Sequence, residues 1–455
     1  MHEVNEDSIK LREEVFAYAR RRLEYDPAPL DGPQSPEWLH QNAGKTISES
    51  GIGGSQALEI FSEILAPSTI STDHPNYLSF IPSAPTEASK LFDLIVSASA
   101  IYGGSWMEGA GAVFAENEVL SWLASEVGLP KGAGGVFVQG GTLGNLSALV
   151  AARHSASQKL TTAGKALPSK WKFICSAEAH SSLKSAAAVM DVEIIKAPVD
   201  ETGHLRGSAV AEVLSTSGDG VFAIVATAGT TNFGIVDKID EIADVAIENQ
   251  IWLHVDGAYG LAGILSPETK PIFAGVEKAD SFIVDPHKWL FAPFDACALV
   301  YRNPELARAA HTQHGEYLET LTESGDWNPS DYAYNLTRRP RGLPLWFSLA
   351  THGVAAYREG VRQNINLAKQ IAEVIRNKPD LELVREPELS VVVFTKKDWT
   401  LKDYDSWSAK LLARGEAFVV PSSHQGKPNA RFAIVNPRTQ ISALVAILDS
   451  MDEER

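Results

Sequence analysis

Seven short apolar runs separated by helix-like segments constrain the fold of this chain more than any other feature. The runs lie between about residues 133 and 301 and read GGVFV, KFICS, VEIIK, VFAIVAT, IWLHV, SFIVD and ACALVY. Apolar strands that alternate with helices are typical of a mostly parallel sheet with crossover helices. Because ligands of such sheets bind at the carboxyl ends of strands, we expect an α/β fold whose functional residues follow the strands.

The segments on either side of this pattern predict two further parts. Residues 8–25 have the apolar spacing of a helix, and the proline-rich stretch DPAPLDGPQSPEW follows as an extended connector. Near the C-terminus, helices are predicted around 362–376, 403–414 and 439–451, and they alternate with the strand-like runs LELVR, LSVVVFT and ARFAIV. We therefore expect a small α+β domain at that end.

Composition excludes several classes of partner. The 455 residues carry a formal net charge of −17, whereas nucleic acid and anionic membranes attract basic patches, so neither is an expected partner. No apolar run approaches the length of a membrane span, and the polar start MHEVNEDSIK is unlike a signal peptide, so a cytoplasmic location is expected. Cys175 and Cys297 lie in apolar runs and are predicted to be buried free thiols, with one disulfide as the alternative. No metal site is predicted, because no Cys/His cluster has the spacing of metal ligands.

A glycine-rich turn after the first run is a candidate phosphate site. In FVQGGTLGN the strand ends at Gly140, Gly141 and Thr142, and a helix is predicted to begin near Gly144. Free backbone N–H groups at a helix start favour an anion, and the Thr142 hydroxyl adds a donor. A plain tight turn is the alternative, since the stretch matches neither GxGxxG nor a Walker sequence.

Further polar residues follow the later strands. His180 in SAEAHSS lies at a predicted loop-to-helix start, where a helix-capping or core histidine is the alternative. Thr230 and Thr231 follow VFAIVAT, where hydroxyls contact a ligand or form a turn. Asp256 ends the apolar run IWLHVD, so its carboxylate needs a partner, either a nearby arginine or a cationic ring.

Lys288, in VDPHKWLFAP, joins these positions into one hypothesis. A lysine set between a histidine and aromatic residues is costly to bury unless it is paired or neutralised. Pyridoxal phosphate needs a lysine for a Schiff base with its aldehyde, a carboxylate at its pyridine nitrogen and a glycine-rich helix start for its phosphate. Lys288, Asp256 and the turn at Gly141 supply these groups, and His180 can stack on the ring. The sequence therefore predicts a pyridoxal-phosphate enzyme.

Four motifs make the chain resemble the group II pyridoxal-phosphate amino-acid decarboxylases, which include aromatic-L-amino-acid, histidine and glutamate decarboxylases. DPHKW resembles the family's N/D-P-H-K-W motif, HVDGAY its HVDAAY, AEAHSS its histidine segment, and HPNYLSFIPS a segment that lines the substrate pocket. The resemblance extends over nearly the whole chain. It implies the architecture of fold type I, with a helical arm over 1–73 that wraps a partner subunit, a large cofactor-binding α/β domain over 74–343 and a small α+β domain over 344–455.

The resemblance also implies roles for single residues. Lys288 corresponds to the Schiff-base lysine, Asp256 to the counter-ion of the pyridine ring and His180 to the histidine stacked on that ring. The other implied cofactor contacts are Gly141, Thr142, Thr230, Ala258, His287 and Thr337. The implied substrate pocket consists of His74, Pro82, Gly104, Trp106 and Glu108. In that pocket Gly104 would leave room, and Glu108 would meet a cationic or hydroxylated substrate or turn away.

The stretch SDYAYNLTRRPRGLPLW, residues 330–346, resembles a mobile loop that in the family reaches the active site of the partner subunit. The resemblance makes Tyr332 the donor of a proton to the substrate carbon after carbon dioxide leaves. Because the stretch is shorter than in the animal enzymes, Tyr334 is a second candidate, and a surface-loop role for Tyr332 is the alternative. The family forms homodimers, so a homodimer is expected here.

The implied reaction is the decarboxylation of an L-amino acid to its amine. Aromatic amino acids come first as substrates, and histidine, glutamate and diamino acids remain open. An aminotransferase on the same fold is one alternative, in which Arg431 would bind the substrate carboxylate, but DPHKW and the tyrosine loop argue against it. An oxidative, aldehyde-forming decarboxylase is another, against which the presence of both His180 and Tyr332 argues. A binding protein without activity would have no use for the full cofactor set.

Overall fold

The computed structural model describes residues 2–315 and 326–453. Within these ranges no helix is both long enough and apolar enough to cross a membrane. Both cysteines, Cys175 and Cys297, are buried free thiols, as predicted.

The chain divides into two compact units, which are described separately. The larger unit consists of Ser83–Ala372 and Arg385–Val392, and the smaller one of Met1–Pro82, Glu373–Val384 and Val393–Arg455. The expected division of the chain at residues 73 and 343 stays a prediction.

The helices follow the apolar patterns of the sequence. In chain order they are α1 (Glu6–Leu23), α2 (Pro36–Ala43), α3 (Gly54–Ile60), α4 (Glu87–Ala98), α5 (Trp106–Val127), α6 (Gly140–Thr162), α7 (Ser181–Met190), α8 (Gly207–Ser217), α9 (Ile239–Glu248), α10 (Pro286–Trp289), α11 (Pro304–His311), α12 (Leu343–Arg376), α13 (Leu401–Ala413) and α14 (Ile441–Asp449). Short 3₁₀ segments cover Gly260–Leu265, Lys270–Phe273, Val276–Lys278, Pro329–Asp331 and Ser450–Asp452, and a π-helical turn covers Phe61–Leu65.

A seven-stranded sheet is the centre of the larger unit. Its strands are β1 (Gly134–Val138), β2 (Lys172–Ser176), β3 (Glu193–Ala197), β4 (Val221–Thr227), β5 (Trp252–Asp256), β6 (Ser281–Val284) and β7 (Cys297–Tyr301). They lie in the order β1-β7-β6-β5-β4-β2-β3. The neighbours from β3 to β6 are parallel, whereas β7 runs antiparallel to both β1 and β6. The prediction of a mostly parallel α/β sheet is confirmed, and each predicted apolar run supplies one strand.

Helix α6 covers the middle of this sheet and starts at its functional edge. Its apolar side chains Ala148, Leu149, Ala151 and Ala152 are at most 1% exposed and belong to the core beneath the strands. The helix begins at Gly140, earlier than the predicted start near Gly144. Gly140 has a φ of +78°, a backbone conformation that glycine adopts without strain. The chain therefore turns from β1 directly into α6, and the first turn of α6 lies beside the strand ends.

The smaller unit contains the N-terminal helices and a second sheet. Asn5 and Ser8 cap α1 reciprocally, each side chain accepting from the other residue's backbone N–H at 2.9 Å, so α1 begins before the predicted residue 8. The proline-rich stretch stays non-helical up to Ser35, which caps α2 by accepting from Trp38 N. Helices α1, α2 and α3 bury none of their residues.

The second sheet confirms the predicted α+β character of the C-terminal part. Its strands are β8 (Leu381–Leu383), β9 (Val391–Lys396), β10 (Ser422–His424) and β11 (Lys427–Ala433), in the order β10-β11-β9-β8. The pairs β8–β9 and β10–β11 are antiparallel. Inside this unit the ammonium group of Lys396 pairs with the carboxylates of Asp380 and Asp452, each at 2.5 Å.

Candidate active site

A cavity of about 220 Å³ lies at the carboxyl ends of the parallel strands in the larger unit. The ends of five strands, β1, β2, β4, β5 and β6, lead into its wall. The structure brings together eight of the residues predicted for the site, namely Gly141, Thr142, His180, Thr230, Asp256, Ala258, His287 and Lys288. The expectation that ligand-binding residues follow the strands is therefore met at one sheet edge.

Lys288 lies on the one-turn helix α10, which follows β6. Its Nζ is 2.9 Å from Oδ2 of Asp285, the residue that begins the helix and is 1% exposed at its side chain. Desolvation by burial lowers the pKa of Lys288, but the Asp285 carboxylate, with a further contribution from Asp256, raises it, and the net direction is upward. The amine is therefore a paired ammonium when the cavity holds nothing else.

Asp256 ends strand β5 and presents its carboxylate to the same cavity. Oδ2 accepts a hydrogen bond from Asn145 Nδ2 at 2.9 Å, and Oδ1 accepts from the backbone N–H of Ala258 at 3.2 Å. The partner is thus an amide and a backbone group rather than the arginine considered as an alternative. Its hydrogen-bond donors are neutral groups, so the carboxylate is available to a cationic ligand group in the cavity.

The turn at Gly140 and Gly141 forms a close-fitting cradle. A Cβ placed on Gly141 would lie 3.2 Å from Ala258 Cβ and 3.1 Å from Asp285 Oδ2, so a side chain there would close the cavity. No side chain among the described residues caps the first turn of α6. The backbone N–H groups of that turn, at the start of a 23-residue helix, are therefore available to an anion.

His180, His287 and Thr230 line the cavity and also make hydrogen bonds that stabilise the local backbone. His180 caps α7, since its Nδ1 accepts from Ser182 N at 3.1 Å, and it also lines the cavity. Thr230 accepts from Ile235 N at 3.1 Å, which shapes the turn after β4. His287 is held by the backbone of Ala296, and burial lowers its pKa despite the nearby Asp285 carboxylate. The capping and turn roles considered as alternatives therefore coexist with positions at the cavity.

Four predicted cofactor or substrate contacts of the larger unit do not line this cavity: Thr337, Gly104, Trp106 and Glu108. Thr337 is exposed. A Cβ on Gly104 would meet the Tyr102 hydroxyl, so this side chain lies directly beside Gly104. Glu108 accepts from Ser105 Oγ at 2.8 Å at the start of α5. The proposed roles of these residues stay predictions.

Tyr332 is buried in the core of its own chain. The side chain is 2% exposed, and its ring stacks on Trp327 with centroids 4.1 Å apart. Tyr332 does not line the cavity around Lys288, and Tyr334 is 67% exposed. A surface-loop position for Tyr332, the alternative considered from the sequence, does not match this burial. Its part in proton transfer across a subunit interface stays a prediction.

The remaining candidates belong to the smaller unit. His74 is buried, its Nδ1 accepts from Asn76 N at 3.0 Å, and desolvation lowers its pKa to about 4. Pro82 is buried at the end of the same unit. Arg431, the carboxylate-binding residue of the aminotransferase alternative, donates to the carbonyl of Phe80 at 2.8 Å. Their roles as substrate contacts stay predictions.

The sequence analysis missed five polar residues of the cavity wall, namely Asn145, Ser182, Thr227, Tyr259 and Asp285. Asn145 follows the glycine turn by one helical turn, so helical periodicity was the signal that could have placed it beside the site. Ser182 is two residues after His180, and Asp285 is three residues before Lys288, a spacing that puts both side chains on one face of α10. Among residues 2–315 and 326–453 no cluster of His, Cys, Asp or Glu is placed to hold a metal ion.

Comparisons with known proteins bear on this site. A family model described as the pyridoxal-dependent decarboxylase conserved domain matches residues 37–397. An aromatic-L-amino-acid decarboxylase of Bacillus atrophaeus is 30% identical over 437 residues, and the match covers 92% of this chain and 89% of that protein. A 3,4-dihydroxyphenylacetaldehyde synthase of Aedes aegypti is 28% identical over 430 residues, covering 89% of this chain and 81% of that protein. The crystal structure of Oryza sativa TDC with PLP and tryptamine has the same fold, with a TM-score of 0.90 at 24% identity over 100% of this chain and 99% of that one.

Proposed function

The chain belongs to the pyridoxal-dependent decarboxylase family, and from this premise we propose that it removes the α-carboxylate of an L-amino acid as carbon dioxide and releases the amine. The family match confirms the predicted resemblance, the enzyme class and pyridoxal phosphate as the cofactor. An aromatic amino acid is the first proposed substrate, because the Bacillus atrophaeus relative named for that activity matches over nearly the whole of both chains.

The observation that carries the proposal is the pairing of two groups in one cavity, the Lys288 amine and the Asp256 carboxylate. They fit pyridoxal phosphate, which needs an amine partner for its aldehyde and an anion for its ring nitrogen. The first turn of α6 offers uncapped backbone N–H groups for the phosphate, and Gly141 keeps that approach open. The residues present therefore match the chemical groups of this cofactor.

When bound, pyridoxal phosphate supplies an aldehyde that condenses with amines and a ring that takes up the electron pair left on Cα as carbon dioxide departs. Asp256 would keep a proton on the ring nitrogen, which is where that negative charge is stabilised. His180, at the start of α7, would cover one face of the ring and limit the orientation of the substrate. Asp285 would hold the proton of Lys288 whenever the amine is free, since it is the ion-pair partner at 2.9 Å.

We also propose that the enzyme works as a homodimer. Helices α1, α2 and α3 bury no residue, and they expose apolar side chains that include Val15, Phe16 and Trp38. Apolar surface of this kind is what a second copy of the chain would cover. Sedimentation of the purified protein should give twice the mass of one chain, and a monomer at all concentrations would contradict this assembly.

An oxidative variant of the reaction is the second candidate. The Aedes aegypti relative is named for an aldehyde synthase activity. Such a reaction would convert the amino acid, oxygen and water to an aldehyde, carbon dioxide, ammonia and hydrogen peroxide. It is distinguished from simple decarboxylation by oxygen consumption and by peroxide.

Incubation of the purified enzyme with a panel of L-amino acids tests the proposal. The panel contains tryptophan, tyrosine, phenylalanine, histidine, glutamate and 2,4-diaminobutyrate, and the products measured are carbon dioxide, amine, aldehyde, peroxide and keto acid. We expect carbon dioxide and amine in equal amounts, highest for an aromatic substrate. Keto acid without carbon dioxide would contradict decarboxylation and favour an aminotransferase.

A further inference from the structure

Asn145 lies at a branch point between the two residues proposed to act on the cofactor ring. It is 1% exposed in the second turn of α6. Its Nδ2 donates to Asp256 Oδ2 at 2.9 Å and to Ser182 Oγ at 3.0 Å. Ser182 Oγ is in turn 2.9 Å from Nδ1 of His180. One amide nitrogen therefore contacts the carboxylate directly and the histidine through one hydroxyl.

The oxygen of the same amide is held by His254 of strand β5. His254 Nε2 lies 2.9 Å from Asn145 Oδ1, and His254 Nδ1 lies 2.8 Å from Ser281 Oγ. Since an amide oxygen only accepts, Nε2 of His254 carries the proton and Nδ1 accepts from the Ser281 hydroxyl. Trp252 Nε1 donates to Ser281 Oγ at 2.9 Å, which leaves the hydroxyl hydrogen free for His254. Each group in this series thus donates to the next one. The order is Trp252, Ser281, His254, Asn145 and Asp256.

The Asp256 carboxylate fixes which end of the Asn145 amide faces it, because an ionised carboxylate only accepts hydrogen bonds and Nδ2 is the donor at 2.9 Å. The amide oxygen then faces His254, whose Nε2 carries the proton that it accepts. Desolvation by complete burial lowers the pKa of His254 to about 4, although the nearby Asp256 opposes this, so at neutral pH the ring carries one proton. If the amide were turned over, its oxygen would face the carboxylate, a repulsive contact.

The branch through Ser182 sets the hydrogen bonding of His180. Because Ser182 Oγ accepts from Asn145, its own hydrogen is directed to His180 Nδ1, which also accepts from Ser182 N at 3.1 Å. With two donors on Nδ1, the proton of the neutral imidazole is on Nε2. The ring that would cover the cofactor is therefore fixed in both position and tautomer.

We propose that Asn145 is a positioning residue for the cofactor. Its amide, held at its oxygen by His254, holds the Asp256 carboxylate at the place of the ring nitrogen and holds His180, through Ser182, at the ring face. This inference deepens the proposed function, since it rests on the roles proposed there for Asp256 and His180. It adds that one side chain sets both contacts, so a change at Asn145 alters them together.

Cofactor affinity of matched variants is the first test. Apoenzyme is titrated with pyridoxal phosphate, without any amino acid, for wild type, Asn145→Ala, Ser182→Ala, the double variant and Ser147→Ala. We expect Asn145→Ala to weaken binding by about tenfold to a hundredfold, the range for a lost hydrogen bond to a charged group. Ser182→Ala removes one branch and should weaken binding by about threefold, a typical neutral hydrogen bond. Ser147, as buried and on the same helix but outside the cavity wall, serves as the control for a small buried change.

The double variant separates positioning from general destabilisation. If Ser182 acts through Asn145, adding Ser182→Ala to Asn145→Ala should weaken binding no further, whereas independent effects would multiply. Multiplying effects, or an Asn145→Ala affinity within about twofold of the Ser147→Ala control, would overturn the proposal.

Imidazole nitrogen NMR of the wild-type apoenzyme gives a readout that depends neither on turnover nor on a variant. We expect His254 to be neutral with its proton on Nε2, and Nδ1 of His180 to show the signal of a hydrogen-bond acceptor. In Asn145→Asp the new carboxylate accepts from His254 and should raise its pKa from about 4. A His254 proton on Nδ1 in the wild type would overturn the proposal. If no amino acid is decarboxylated but these affinities and spectra are as expected, the proposed reaction fails while the role of Asn145 toward the cofactor stands.

Discussion

Lys396 and Lys288 each form an ion pair with aspartate inside one unit, and their surroundings differ. The side chain of Lys396, in the smaller unit, is 1% exposed, and its ammonium lies 2.5 Å from the carboxylates of both Asp380 and Asp452. The side chain of Lys288, in the larger unit, is 23% exposed, and its ammonium lies 2.9 Å from the Asp285 carboxylate. Lys396 packs within a unit core, whereas Lys288 opens into a cavity.

The difference shows that burial of a lysine does not by itself mark a functional site. Lys396 pairs with two carboxylates, and its side chain is almost fully buried, so its amine is not accessible to a ligand. Lys288 forms an ion pair with one carboxylate, that of Asp285, and the cavity leaves its amine accessible to a ligand. A lysine suited to react with a ligand is therefore distinguished by an open cavity beside its amine and by the number of carboxylates that pair with it, and burial alone does not distinguish it.

The largest expected effect comes from removing the reactive lysine. Lys288→Ala should bind no cofactor covalently and should release no carbon dioxide above background, because the amine that reacts with the aldehyde is gone. Absorbance in the visible range and carbon dioxide release measure the two losses. Carbon dioxide release by Lys288→Ala near the wild-type rate would remove the distinction between the two lysines.

Asp256→Ala should lower turnover by roughly 10²–10³, the usual cost of losing a preorganised charge at the site of chemistry. Cofactor retention should fall far less, since Lys288 and the first turn of α6 remain. The matched control is Asp380→Ala, which changes a carboxylate beside Lys396 and should leave turnover per folded molecule unchanged. Steady-state kinetics on cofactor-saturated enzyme decide this, and near-normal turnover of Asp256→Ala would contradict the counter-ion role.

Lys396→Met should affect stability instead of chemistry. Removal of one partner of a buried ion pair costs about 3–5 kcal/mol, and we expect about 3 kcal/mol here because Asp380 and Asp452 keep contact with solvent. Urea unfolding measures the loss, and amine formation per folded molecule should equal that of the wild type. Unchanged stability together with lost activity would reverse the roles given to the two lysines.

Asp285→Asn should move the pH dependence of cofactor loading. The Asp285 carboxylate raises the pKa of Lys288, so in the wild type the neutral, reactive amine appears only as the pH rises toward that pKa. Without the carboxylate the pKa of Lys288 falls, and the loading profile should shift to lower pH. The rate of visible absorbance after mixing apoenzyme with pyridoxal phosphate, followed across pH, measures the shift. A profile that stays in place or moves upward would show that Asp285 does not control the amine.

Tyr332→Phe carries the smallest expected effect. The ring is packed on Trp327 and lies outside the cavity wall, so amine formation should stay within about threefold of wild type, which is less than about 1 kcal/mol in activation free energy. Amine, aldehyde and ammonia are measured for Tyr332→Phe and Tyr334→Phe. A change of product from amine to aldehyde and ammonia in Tyr332→Phe would instead support the proton-donor role predicted from the loop.

The sequence predicted the sheet and the convergence of its strand ends for a physical reason. Each buried strand is a short apolar run, and parallel strands place their carboxyl ends at one edge, so Asp256 and Lys288 were expected in one place. Strand order and the reversal of β7 were not predicted, because both depend on packing between distant runs. Helix α6 began earlier than predicted because Gly140 adopts a positive φ, which the residue type permits but does not require.

The site residues that were not predicted from the sequence are those whose role depends on a contact with a residue distant in the chain. In the sequence Asn145 is an ordinary helix residue, and only the structure shows its hydrogen bond to Asp256, which lies 111 positions away. For Tyr332 the structure adds a contact that the motif resemblance did not give, the stacking of its buried ring on Trp327, and its role as proton donor stays a prediction. Local pattern therefore identified the groups that carry charge, and tertiary contacts were needed to find the neutral residues that hold them.

The most direct measurement is borohydride reduction of the enzyme with its bound cofactor, followed by peptide mapping. Reduction makes the bond between the cofactor and its lysine permanent, and Lys288 and Lys396 fall in different peptides. We predict that the label is found on Lys288 and that the peptide containing Lys396 is unlabelled. Label on Lys396 or on any other lysine, with Lys288 unmodified, would contradict the assignment of Lys288 as the cofactor-binding residue.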